Sequence, residues 1–162
     1  MKKRYVLMLA AGLALSSQTA SFAASTTGNL AVSAIVSAQC VIQSAAIPFG
    51  NYSASAVQQN AQIAVNCSNG TSYTISLDAG SGSGATTTSR KLANTAGGSS
   101  LNYGLYQDAA RTKGWGNANG SDTIAGVGSG TTQSVPVYGY IPGGQTSTAG
   151  SYSDVVAITL AY

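Results

Sequence analysis

The chain has 162 residues, the size of one ordinary domain, with seven Lys and Arg, four Asp and Glu and no histidine. Only 7% of its residues are charged, so its surface has to be built from Ser, Thr, Asn, Gln and Gly. Without histidine or clustered carboxylates, acid–base catalysis, a Ser-His-Asp triad and a hydrolytic metal centre lack their parts, and the expectation is a protein that is not an enzyme and carries no cofactor or metal.

Residues 1–23 read as a secretory signal peptide. Lys2, Lys3 and Arg4 precede an apolar run over 6–15, and Ser21 and Ala23 are the small residues before a cut placed after Ala23. As a helix that run reaches only about half of a ~30 Å bilayer core, which argues against a membrane anchor. Once the signal is removed, Arg90, Lys91, Arg111 and Lys113 face Asp78, Asp108, Asp122 and Asp154, and the mature chain is neutral. No basic face remains for a nucleic-acid partner.

Residues 29–38 read N-L-A-V-S-A-I-V-S-A. Leu30, Val32, Ala34 and Val36 recur at every second position, the period of a half-buried β-strand with one apolar face. The plain alternative is an ordinary first strand of the protein's own sheet. Cys40 and Cys67 follow, and in an exported chain a disulfide is the default pairing. Closing that loop restricts the unfolded chain by roughly 3–4 kcal/mol. Free thiols are the competing reading, and a metal site would lack histidine to complete it.

After Cys40 the chain makes a short strand and then an I-P-F-G bend. Residues 61–67 place Ile63, Val65 and Cys67 on one face, and 72–78 do the same with Tyr73, Ile75 and Leu77. The Asn69-Gly70 pair between them predicts a β-hairpin, because both residues accept positive φ. The Gly/Ser stretch over 79–89 is a loop, and no Gly-Lys-Ser/Thr follows to make it a phosphate cradle. A short edge strand is expected over 90–94 and a further strand over 101–106, with Leu101, Tyr103 and Leu105 on one face.

Residues 107–133 read as a long Gly-rich loop, with the single tryptophan, Trp115, as a plug over one end of the core in preference to a ligand platform. Residues 135–141 form a strand whose Pro136 suggests an edge or a bulge. Residues 151–162 are expected to be the last and longest strand, with Val156, Ile158, Leu160 and Tyr162 on one face and no turn signal after them. No helical period of useful length occurs after the signal. Several short strands at this spacing predict an all-β sandwich.

Four stretches together resemble the spore coat protein U domain: L-N-Y-G-L-Y-Q-D from Leu101, Trp115-Gly116, V-Y-G-Y from Val137, and Q-T-S-T-A-G-S-Y-S-D-V-V-A-I-T-L-A-Y from Gln145. That family includes the major subunits of archaic chaperone–usher pili in Gram-negative bacteria. The resemblance implies an incomplete immunoglobulin-like β-sandwich over 39–162 that lacks its last strand and is completed by a donor strand. A periplasmic chaperone would lend that strand during export. At an outer-membrane usher, the 24–38 arm of an identical subunit would replace it in a head-to-tail fibre. The function implied is a pilus subunit at the cell surface, reached through the periplasm and supporting adhesion and biofilm formation.

In this scheme Leu30, Val32, Ala34 and Val36 are the donor residues facing the acceptor groove. Val156, Ile158, Leu160 and Tyr162 line that groove or meet the chaperone. The ending departs from the better-known pilins, which commonly carry a penultimate aromatic. Here Tyr162 is terminal, Ala161 precedes it, and the nearest glycine is Gly150. Two other functions stand beside the pilus subunit: a structural protein of a spore or cell-surface coat, and a monomeric secreted glycan-binding module motivated by Trp115 and the tyrosine-rich loops.

Overall fold

The computed structural model describes residues 22–162. The signal segment read at 1–23 lies outside the described residues up to residue 21. The chain divides between Ala34 and Ile35 into two units. In the first, the described residues carry no strand and are exposed throughout.

The second unit is an all-β sandwich with no helix among the described residues. Its strands are β1 (Cys40–Ile42), β2 (Val57–Cys67), β3 (Ser72–Leu77), β4 (Arg90–Asn94), β5 (Ser100–Tyr106), β6 (Ile124–Val127), β7 (Thr132–Ile141), β8 (Tyr152–Ser153) and β9 (Ile158–Ala161). One sheet has the order β1-β2-β7-β5-β4-β8 and the other β6-β3-β9, with every pairing antiparallel.

Alternation explains the core. Ile63, Val65 and Cys67 of β2, Tyr103 and Leu105 of β5, and Val137 and Ile141 of β7 point inward from the larger sheet. Tyr73, Ile75 and Leu77 of β3 meet them from the smaller one. Cys40 lies directly opposite Cys67 in the β1–β2 register, and a disulfide joins them, fastening a three-residue edge strand to its neighbour.

The expected hairpin does not form. β2 and β3 lie in different sheets, and the turn between them is an arch that carries the chain from one to the other. Gly70 takes the positive φ at +79°, whereas Asn69 does not, so the two-residue turn that twists with a hairpin is absent. The arch is tied instead to the loop before β7: Gly70 N donates to Gly128 O, Gly128 N to Thr71 O, and Gly130 N to Cys67 O.

The final strand is also revised. The span 151–162 is broken into β8, which pairs with β4, and β9, which pairs with β3, and the longest strand is β2 with 11 residues. The span 107–133 contains β6, whose two large apolar residues, Ile124 and the exposed Val127, stand three apart and so leave no period-two signal. β4 is not an edge, since β5 and β8 flank it. β7 is interior, but Pro136 pairs only with Gln62, beyond the last β5 partner at Tyr138, so the missing N–H interrupts no β5 pair. Trp115 is 0% exposed and its Nε1 donates to Ile75 O, which makes it a plug and removes the basis for a ligand platform.

Candidate functional site

Of the four end strands of the two sheets, β1 in the larger and β9 in the smaller approach one another without pairing, each with one hydrogen-bonding edge free; β8 and β6 are the other two. The interior stands open as a cavity of about 350 Å³, lined among others by Ile47, Phe49, Leu77, Tyr103, Val156 and Ile158.

One wall is a strap after β1. Its Ile47 and Phe49 sit over Gly139 of β7, where a Cβ would come within 2.7 Å of the Phe49 ring. Phe49 also meets Tyr103 edge to face at 5.9 Å between centroids. Glycine is needed at 139 because the strap passes so close. Beyond Phe49 the strap is held by Tyr52, whose hydroxyl donates to Pro142 O and accepts from Gln145 N.

The opposite rim is the crossing from β8 to β9. Asp154 anchors it by accepting from Ser81 N and Oγ, from the Tyr103 hydroxyl and from Val155 N. Asp78, just past β3, accepts from Ala157 N through its Oδ1. Burial pushes the Tyr103 phenol well up, and the hydrogen bond to Asp154 adds to the shift, so it stays protonated and keeps donating that hydrogen bond at any ordinary pH. Side chains 152, 154, 156, 158 and 160 keep one inward phase across the crossing, and for that reason the sequence read as one unbroken strand.

Beneath the rim sits Arg90, fully buried at the start of β4. Its guanidinium donates to the carbonyls of Leu77, Asp78, Thr87 and Trp115. Desolvation lowers its pKa, partly offset by Tyr103 and by Asp78, Asp154 and Asp122. It is a structural clamp joining the end of β3, the 79–89 loop and the tryptophan plug.

Of the residues expected to form the groove, Val156 and Ile158 line the cavity and Leu160 packs half-buried on the core. Tyr162 is 64% exposed and does not line the cavity. On the leading segment Leu30, Val32 and Val36 are 88%, 85% and 90% exposed, and Ala34 is exposed as well. Ile35 is 94% exposed, so exposure does not select one apolar phase of this segment over the other. The sequence reading missed Ile47, Phe49, Tyr103, Asp78, Asp154 and Arg90. The apolar pair bracketing Pro48 in a polar stretch was the available signal for the first two. Chemically, the site offers an apolar trough beside unpaired backbone N–H and C=O groups, which suits an extended chain with alternate apolar side chains. Among the described residues no group of His, Cys, Asp and Glu is arranged to hold a metal ion.

The family model described as the Spore Coat Protein U domain matches residues 26–159. The chain belongs to that family. As a Spore Coat Protein U domain chain it is 32% identical over 156 residues to "Protein U" of Myxococcus xanthus, an alignment covering 86% of this chain and 87% of that protein. Among solved structures it is similar to a chain from the crystal structure of a chaperone–tip adhesion subunit pre-assembly complex of archaic chaperone–usher Csu pili from Acinetobacter baumannii. The TM-score is 0.58 at 21% identity, covering 78% of this chain and 40% of that one. The likeness establishes the immunoglobulin-like fold for this Spore Coat Protein U domain.

Proposed function

We propose that the chain is a structural subunit of a surface pilus assembled by the chaperone–usher route. On this reading it is exported through the periplasm, and its fibres support adhesion and biofilm formation. The observation that carries the reading is the open cavity lined by Ile158 of β9, together with the free edges of β9 and β1 at the ends of the two sheets. Uncovered edges invite pairing with another chain. The leading segment has the composition of the missing piece: residues 29–37 span about 30 Å when extended. Leu30, Val32 and Val36 each contribute ~1.5–3 kcal/mol on full burial.

A periplasmic chaperone holds the groove first. The arm of the next identical subunit then replaces it at the outer-membrane usher. Because donor and acceptor are different surfaces, the contact is heterologous and propagates as an open filament. The solved neighbour's origin in a chaperone-bound pilus subunit complex supports this route.

Deleting residues 24–36 tests the proposal. The expected product is a chaperone-bound subunit that makes no fibres, and normal fibres from the deleted chain refute it. The family description favours a second reading, a coat layer built by the same strand exchange. Immunogold labelling separates the two, since a pilus gives thin fibres and a coat a continuous shell.

A further inference from the structure

We propose that the outer face of β5, β7 and β2 is a binding surface for a uronate-bearing polysaccharide. Residues on these strands alternate between the two faces of the sheet. Tyr103, Leu105 and Val137 point to the cavity, so Tyr106, Tyr138 and Tyr140 point the other way. Tyr106 and Tyr138 are directly paired across β5 and β7, and Tyr140 is paired with Gly104 and Gln58.

Gly104 has no side chain because the Tyr106 ring lies over it, with 2.7 Å from ring carbon to the position of a Cβ. The result is a half-buried aromatic floor beside the exposed amides Gln58 and Asn60. The three phenol hydroxyls enter no hydrogen bond among the described residues, unlike those of Tyr52, Tyr103 and Tyr152. Rigid aromatic rings with free hydroxyls and neighbouring amides suit the apolar faces and hydroxyls of sugars.

Charge complementarity selects the kind of sugar. Arg111 lies over this floor with its guanidinium carbon 5.9 Å from the Tyr138 ring centroid. It is a non-glycine residue in the left-handed region, at φ 57°, held there by the 108–113 turn. The Asp108 carboxylate organises that turn by accepting from Thr112 N and Oγ1 and from Lys113 N. Arg111 spends three N–H groups on uncharged oxygens: Gly139 O, Ala109 O and Asn60 Oδ1. A guanidinium has five such groups, so one remains on each terminal nitrogen, with no carboxylate among its bonded partners. A sugar carboxylate completes that set, while its ring stacks on Tyr140 or Tyr106. The surface lies on the opposite side of β5 and β7 from the cavity, so the inference stands apart from strand donation.

Calorimetry of the full chain with a galacturonate hexamer tests it, with a glucose hexamer as the neutral probe. The expected result is saturable binding of the galacturonate hexamer that weakens as salt rises. It should fall at least about tenfold in Arg111→Gln and clearly in Tyr140→Ala, a variant that leaves the core side of β7 intact. Far-ultraviolet circular dichroism confirms that both variants fold. Equal binding of the neutral hexamer, no saturable binding of the charged one, or undiminished binding in folded Arg111→Gln and Tyr140→Ala overturns the proposal.

Discussion

Arg90→Met removes the buried clamp while keeping most of its volume. The four carbonyls it serves belong to three segments, the end of β3 at Leu77 and Asp78, the following loop at Thr87, and the tryptophan plug at Trp115. Hydrogen bonds from a charged donor contribute about 1.5 kcal/mol or more each, so the four together approach 6 kcal/mol. Water reaching some of the freed carbonyls offsets part of that loss. The net loss expected is about 3 kcal/mol, a large fraction of the roughly 5–15 kcal/mol of an ordinary domain. Trp115 reports it directly, being the single tryptophan and fully buried, so its emission shifts to the red as the plug leaves the core. Urea titrations followed by that emission give the difference from the midpoint and slope. Arg90→Lys keeps the charge but cannot reach four carbonyls, and falls between the two. A loss below about 1 kcal/mol in Arg90→Met refutes the reasoning, since the carbonyls would then have found other partners.

Three further outcomes are expected. Replacing Cys40 and Cys67 together by alanine opens a bridge across 27 positions of sequence and costs roughly 3 kcal/mol, read from the shift in urea midpoint. Gly80→Ala places a Cβ on the Asp154 carboxylate at a residue whose φ is +80°, so stability falls by about 1 kcal/mol or more, and the Ser81 and Val155 amides exchange faster with deuterium. The Asp108 carboxyl is held below its usual range, first by the Lys113 amide and then by the other Thr112 and backbone donors. A lowered folded-state pKa stabilises the turn fully above the ordinary aspartate value near ~3.9 and ceases to do so as pH falls through the lower value. The protection of the Thr112 and Lys113 amides, taken relative to their intrinsic exchange rates, therefore falls in acid, whereas in Asp108→Asn that acid-dependent step disappears.

Period-two alternation made most of the sandwich legible. The inward faces of β2, β3, β5 and β7 follow from Ile63, Tyr73, Tyr103 and Val137 and their alternate neighbours, because a residue buried in a strand fixes the face of every second one. The Asn69-Gly70 turn shows the limit of such reading. Local turn chemistry reported correctly that the chain reverses, but whether the reversal stays in one sheet depends on which strands it meets later, and here Gly128 and Gly130 claim its backbone groups. The break at 154–157 was hidden for a related reason, since the inward phase continues unchanged from Tyr152 to Leu160. Asp154 causes the crossing through partners at Ser81 and Tyr103, far away in sequence. Arg90 was the least readable. A lone arginine next to a lysine after a Ser/Thr run looks like a solvated surface residue, and only the assembled carbonyls of three segments explain its burial.

The division of labour along β5 and β7 constrains how these strands can evolve. Odd positions carry the interior, through Leu105 and Val137, and even positions carry the outer tyrosines, Tyr106, Tyr138 and Tyr140. Inserting or deleting one residue in either strand exchanges the two sets at a stroke, sending phenols into the interior and aliphatic side chains into water. Point substitutions on one face leave the other intact, so the two surfaces can drift independently by replacement. Length changes in these strands, by contrast, are closed to selection unless they come in pairs.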